Sequence, residues 1–215
     1  MKLILASQSP RRRRLIELLG HPVTFVAAAV DEESIDHPEP DTNVIRTAKL
    51  KAEAVSAQFS NALIIAADTT VAVDGEMLGK PANRSEAQNT LERLRGRAHQ
   101  VYTGLVLLQM NSGRMETSVC RTDVYMRLYN EAEVEEYVDS GDPFDKAGAY
   151  AIQSTSFHPV NHIEGCYTNV VGLPLCQLCA LLGRFGILSD LPVAAATNDF
   201  RECATCIRLM STDTG

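Results

Sequence analysis

Leu63-Ile64-Ile65-Ala66-Ala67-Asp68-Thr69-Thr70-Val71-Ala72-Val73 is the stretch on which the fold turns. Five apolar residues in a row, bounded by turn signals, read as a strand buried on both faces. The run ends on a carboxylate, Asp68, and Val71 to Val73 extends it to a turn at Asp74-Gly75. A charge rarely interrupts a buried strand without a partner. In α/β sheets ligands bind beyond the carboxyl ends of strands, where an aspartate can hold a metal or take a proton from water. An ordinary turn or capping aspartate is the plain alternative.

Working outward, Lys2 to Ala6 reads as a short buried strand. Ser9-Pro10 opens a helix, with serine as the cap and proline at the first helical position, and Gly20 closes it. Thr24 to Ala28 reads as a second strand, and Asp41 to Gln58 as a helix capped by Asp41 or Thr42. Beyond the central strand, Arg84 to Leu94 is predicted helical. Val101 to Met110 and Glu116 to Arg127 form a predicted hairpin around Asn111-Ser112-Gly113. Asn130 to Val138 reads as a short acidic helix, Tyr167 to Val171 as a strand, and Leu173 to Arg184 as a final helix. Early alternation of strands and helices followed by a long hairpin predicts an α/β fold, a mixed β-sheet with flanking helices.

The chain has 215 residues, 45% of them hydrophobic, which suits one domain with a real core. No apolar run approaches the roughly 18 residues that span a bilayer. The apolar N-terminal run is too short for a signal peptide and four arginines follow it, so a cytoplasmic protein is expected. A net charge of −7 argues against general binding to a nucleic acid polymer.

The positive charge is nevertheless concentrated. Arg11, Arg12, Arg13 and Arg14 occupy the first two turns of the first predicted helix. Cations are unfavourable at that end of the helix dipole. The arrangement makes sense if an anion sits there, bound by backbone N–H groups, guanidinium forks and the hydroxyls of Ser7 and Ser9. At about 100° per residue Arg11 and Arg14 share a face, so at most two arginines should touch one ligand. A solvated basic face is the alternative.

A second acidic cluster, Asp31-Glu32-Glu33, follows the second strand, and carboxylates from two strands can share a magnesium ion with phosphate oxygens and water. Gly79-Lys80-Pro81 is a constrained turn presenting one cation; its spacing and Pro81 rule out a Walker motif. In Asp142 to Gln153, Lys146 is a candidate for phosphate and Gln153, with both a donor and an acceptor, for a base edge. Six cysteines include two CxxC pairs, Cys176/Cys179 and Cys203/Cys206, which permit a zinc site but are far apart. The first pair sits in an apolar helix, where buried thiols are ordinary.

Read together, Ala6-Ser7-Gln8-Ser9-Pro10-Arg11-Arg12, Val30-Asp31-Glu32, Ala48-Lys49-Leu50-Lys51-Ala52, Ala67-Asp68-Thr69, Gly79-Lys80-Pro81, Tyr102-Thr103-Gly104, Asp145-Lys146-Ala147-Gly148 and Asn169-Val170-Val171-Gly172-Leu173-Pro174 resemble the motifs of the Maf-like nucleoside triphosphate pyrophosphatases. The resemblance covers residues 1–186 in order and leaves 187–215 as a tail, expected to be disordered. It implies an elongated fold with two lobes around a cleft, of the kind shared with inosine triphosphatases, and a homodimer. It also implies cleavage between the α- and β-phosphates with a divalent metal, Mg2+ or Mn2+. Asp68 falls on the proton-accepting position. Ser7, Arg11, Arg12, Glu32, Lys51, Lys80 and Lys146 fall on phosphate- and metal-handling positions, with Glu32 and Asp68 the metal ligands. Arg11, Thr69 and Gln153 fall on positions linked to base choice. The string from Lys146 to Gln153 resembles the branch that takes dTTP and UTP, with a 7-methyl-GTP branch, a nucleotide-binding regulator of cell division and a zinc-ribbon protein as the rival readings.

Overall fold

The computed structural model describes residues 1–32, 35 and 37–189. One seven-stranded mixed sheet organises them, in the order β2-β1-β3-β5-β6-β7, with β4 pairing to β3. Strands β1 (Lys2–Ala6), β2 (Val23–Val26) and β3 (Ala62–Val73) are parallel where they meet; β5 (Ala98–Gln109), β6 (Arg114–Met126) and β7 (Val160–Glu164) continue antiparallel. The short β4 (Glu76–Leu78) folds back on the end of β3.

Period-2 alternation along these strands sends side chains to two faces. Leu3, Leu5, Leu63, Ile65, Leu105 and Leu107 pack on one face against α1 (Pro10–Glu17) and α6 (Leu175–Arg184). Ile4, Ala6, Ile64, Ala66, Val106 and Leu108 pack on the other against α2 (Pro40–Ser56). Further along the first face, Val71, Val73, Val101 and Val124 build a second core with α3 (Arg84–Leu94) and α4 (Glu131–Asp139). The two cores are the lobes, and β3 and β5 run through both. Ile152 and Tyr167 touch both cores.

Several expectations change. Asp68 is not at a strand end but in the middle of the twelve-residue β3. The strand continues past the apolar run because β5 pairs with it without a break from Leu63 to Ala72. Tyr167–Val171 is a helix, α5, not a strand. Its β-branched residues favour extended structure, but tertiary contacts outweigh propensity there. Gly172, at φ +116°, ends the helix and donates its N–H to Thr168 and Asn169. Helix α2 starts at Pro40 after Glu39, with no side-chain cap; Asp41 instead accepts from the N–H of Thr42. Strands β4 and β7 were not anticipated: β7 buries only Ile163 and carries no alternating signature. The pair Cys203/Cys206 and most of the expected tail lie outside the described residues. No helix among those described is long and apolar enough to cross a membrane.

One buried group makes this core sensitive to pH. His99 is fully buried, with Nε2 2.7 Å from the Tyr150 hydroxyl. Burial lowers its pKa to about 4, only partly opposed by the charge of Asp123. A depressed histidine pKa means that the unfolded chain takes up a proton first on acidification. Stability should therefore be full above about pH 6.5 and fall by on the order of 2–3 kcal/mol as pH drops towards 4.5. Urea unfolding at both pH values, in the wild type and in His99→Phe, checks this: the variant should lose that part of the pH dependence.

Candidate functional site

The site lies where the sheet changes direction. From β1 the chain goes through α1 to β2 on one side, and through α2 to β3 on the other, with the two helices on opposite faces. Such a switch point leaves a crevice beyond the carboxyl end of the central strand. Here β1 stops at Ala6, in register with β3 up to Leu5↔Ile65, and β4 takes up that edge of β3 only from Val71. Between Ile65 and Val71, among the described residues, β3 has no strand on that side. Asp68 and Thr69 stand on this open edge, pointing to opposite faces.

On the α2 face, Lys51 donates from Nζ to Asp68 Oδ1 at 2.7 Å and lies 3.0 Å from Glu32 Oε2. Its side chain is 8% exposed and that of Asp68 14%. A lysine this buried is tolerable only with its charge matched. The sequence carries a sign of it that composition alone does not reveal. Val44, Ala48, Lys51 and Val55 form one buried stripe of α2, and a lysine in such a stripe demands an anion beneath it. Helix and strand come close because of Gly104, opposite Asp68 in the ladder. A Cβ there would sit 2.7 Å from the carbonyl carbon and oxygen of Val44 and 2.9 Å from the nitrogen of Ile45.

On the α1 face the helix N-terminus points at the crevice. Ser9 caps it, accepting from the N–H of Arg12 at 3.4 Å, while the buried Ser7 accepts from the N–H of Ser9 at 3.2 Å. Arg12 folds back, donating from Nε to Gly172 O at 2.8 Å and from Nη2 to Thr69 Oγ1 at 2.9 Å. Burial lowers its pKa, while the charges of Asp68 and Glu32 raise it. Arg11 reaches across to Asp145 at 2.9 Å. Arg13 stacks on Phe25 and Arg14 is exposed, so the cleft pair is Arg11 with Arg12, not Arg11 with Arg14. The reason is that long helical side chains lean back towards the N-terminus, and Arg12 finds the Gly172 carbonyl there.

The segment from Asp142 to Ala151 closes the far side. Lys146 Nζ donates to Asp142 O at 2.5 Å, Asp142 Oδ1 at 2.9 Å and Asp145 Oδ1 at 2.5 Å, which commits all three of its protons. Tyr137 donates to Asp142 Oδ2 at 2.6 Å and accepts from the N–H of Ala151 at 3.0 Å. Burial alone would raise the pKa of Asp142 and of Asp145, yet hydrogen bonds and nearby cations bring both down: Tyr137 and Lys146 for Asp142, Lys146 and Arg11 for Asp145. The Gly148 N–H donates to Gly79 O at 3.2 Å, which brings the turn carrying the exposed Lys80 against this segment. Gln153 is exposed in the following turn. No role for Asp142, Asp145, Tyr137, Thr103 or Asn169 is legible from the sequence alone.

Glu32 and Asp68 are hard oxygen donors that converge on one lysine nitrogen. They suit a magnesium-like ion, which takes one or two carboxylates and completes its shell with water and phosphate oxygens. Among the described residues no three histidines, cysteines or carboxylates gather into a cage.

Fold and site together define an α/β protein with a crevice that is cationic on its walls and carboxylate-bearing at its floor. A model of Maf-like proteins matches residues 2–185, and the chain belongs to that family. It is 45% identical over 188 residues to a dTTP/UTP pyrophosphatase of Syntrophus aciditrophicus (strain SB), covering 87% of this chain and 92% of that one. A dTTP/UTP pyrophosphatase of Moorella thermoacetica (strain ATCC 39073 / JCM 9320) is 45% identical over 186 residues, 86% of this chain and 96% of that one. Among solved structures, a HAM1 protein from Coxiella burnetii aligns with a TM-score of 0.41 and 20% identity, over 59% of this chain and 73% of that one.

Gly104→Ala tests the close approach of α2. The clash is with backbone, which no rotamer change relieves, so unfolding in urea should show a loss of about 1–3 kcal/mol. Unchanged stability would mean that α2 has room to move.

Proposed function

We propose that this chain is a nucleoside triphosphate pyrophosphatase that converts dTTP and UTP to the monophosphate and pyrophosphate. The observation that carries the reading is Asp68. It is a carboxylate desolvated at an open strand edge, with one oxygen held by Lys51 and no donor to the other among the described residues. The names of relatives 45% identical over most of both chains supply the substrate class.

In this reading the triphosphate lies in the crevice with its charge towards Arg11, Arg12 and Lys51, and with Lys80 and Lys146 at the far wall. Ser7, Thr69 and Gln153 complete the substrate contacts. Lys51 fixes Asp68 so that its second oxygen faces the α-phosphate. Asp68 takes a proton from water as the water oxygen bonds to the α-phosphorus. The bond from that phosphorus to the bridging oxygen breaks, and its electron pair leaves with pyrophosphate, whose charge the lysines offset. Positioning and electrostatic stabilisation supply most of the acceleration. Glu32 and Asp68 would hold Mg2+ or Mn2+, which neutralises phosphate charge when bound. A cytoplasmic homodimer belongs to the same proposal.

A panel of nucleoside triphosphates with Mg2+ or Mn2+, read by chromatography of monophosphate and pyrophosphate, tests the proposal. Turnover of dTTP and UTP is expected. Turnover of 7-methyl-GTP instead would overturn the base assignment, and nucleotide binding without turnover would move the chain to a regulatory role. Asp68→Asn keeps the shape and removes the base, so kcat should fall by about 10²–10⁴-fold with the fold intact. Near-normal turnover would remove Asp68 from the chemistry. Gln153→Ala should change the ratio of pyrimidine to purine turnover while leaving Tm in place; an unaltered nucleotide profile would take Gln153 out of base recognition.

A further inference from the structure

Behind the crevice, a chain of hydrogen bonds crosses the sheet between the two apolar cores, and its protons can be counted. Arg12 Nη2 donates to Thr69 Oγ1 at 2.9 Å. Thr69 Oγ1 lies 2.8 Å from Thr103 Oγ1, and Thr103 Oγ1 lies 3.2 Å from the backbone oxygen of Asn169. That carbonyl only accepts, from the Gly172 N–H as well, and a Thr103 proton turned elsewhere would leave two acceptor oxygens facing each other at 3.2 Å, which favours the proton lying between them. Either hydroxyl can donate across that 2.8 Å contact, and with the Thr103 proton on the carbonyl the donor is Thr69. Asn169 is itself fixed, its Nδ2 donating to Val101 O at 3.0 Å and to Thr122 Oγ1 at 2.9 Å. Thr103 and Asn169 are fully buried, whereas Thr69 is partly exposed at the open edge of β3.

The consequence concerns what Thr69 can offer the crevice. Its proton points inward to Thr103 and one lone pair receives Arg12, which leaves one lone pair and no proton for a ligand. Phosphate oxygens offer only lone pairs, so Thr69 cannot bind them. The complementary group is a donor on the nucleoside part. Uracil and thymine carry an imide N3–H, whereas cytosine presents a bare N3 acceptor at the same place.

We propose that Thr103 is a positioning residue that sets base choice: by taking the Thr69 proton it turns Thr69 into a pure acceptor, which selects the imide N–H of uracil or thymine and rejects cytosine. The inference rests on the reading of the crevice as a nucleoside triphosphate site. The experiment compares kcat/KM for UTP and CTP in the wild type, Thr103→Val and Thr103→Ser, with thermal melts alongside. In Thr103→Val the Thr69 hydroxyl can turn and donate, so the preference for UTP over CTP should shrink by about tenfold, the worth of one mismatched hydrogen bond. Thr103→Ser keeps the hydroxyl and should keep the preference. Equal loss on both substrates in Thr103→Val, with the ratio unchanged, would make Thr103 merely structural and overturn the inference while leaving the proposed activity in place. An unchanged ratio is also the result expected if Thr69 meets a sugar hydroxyl, which tolerates either polarity, and it overturns the inference equally. A wild type that turns over neither dTTP nor UTP would remove the activity and this inference together. Should Thr103→Val not fold, Thr103→Ala removes the same acceptor at the cost of a small cavity, and the same ratio is read on it.

Discussion

A strand that outlasts its neighbour organises this molecule. β3 continues past the point where β1 stops, and from Ile65 to Val71 its edge carries no strand on that side among the described residues. Unpaired backbone there would be costly if it were buried without partners, so this edge has to stay open to water or to another polar group. Helices arriving on opposite faces then supply opposite kinds of group. α1 brings arginines and a helix N-terminus; α2 brings a lysine that grips the carboxylate of the strand itself. Neighbouring residues on β3 thus serve different purposes, since Asp68 meets Lys51 on one face and Thr69 meets Arg12 on the other.

The electrostatics of the crevice are close to balanced by the protein's own carboxylates. Lys51 is shared by two carboxylates, Asp145 spans Arg11 and Lys146, and Asp142 takes part of Lys146 as well. This explains how so many cations sit together in a chain that is acidic as a whole. Each buried charge has a partner whose removal would leave it exposed to the full desolvation cost. A polyanion entering the crevice competes with carboxylates for those cations, and a divalent ion on Glu32 and Asp68 would ease that competition.

Much of the architecture is legible in the residues. Ser9-Pro10 marks the start of α1, Asn111-Ser112-Gly113 marks the hairpin, and the apolar run to Ala67 marks the central strand, because each carries a local signal that the tertiary structure reinforces. Asp68 announces itself as a charge inside an apolar run. The errors have equally specific causes. Tyr167–Val171 has the composition of a strand and forms a helix because long-range contacts and Gly172 decide it. Helical spacing alone pairs Arg11 with Arg14, whereas Arg12, which the family motif points to, turns into the cleft because its acceptor, the Gly172 carbonyl, is 160 residues away in sequence. Thr103 and Asn169 fall inside motifs of the family resemblance, but what they do there comes from partners on other elements, which no local pattern encodes.

The long strands also have a mechanical meaning. β3 and β5 pass through both apolar cores with an uninterrupted ladder from Leu63↔Gln109 to Ala72↔Gln100, and β6 extends it from Gln109↔Arg114 to Ala98↔Tyr125. The lobes are therefore two loads on one beam. Swinging them apart like jaws would mean shearing a row of backbone hydrogen bonds, so the crevice cannot open by a hinge through the sheet. Access has to come from what lies outside that ladder: the α1 end with Arg11, and the segment from Asp142 to Ala151 that meets it through Asp145.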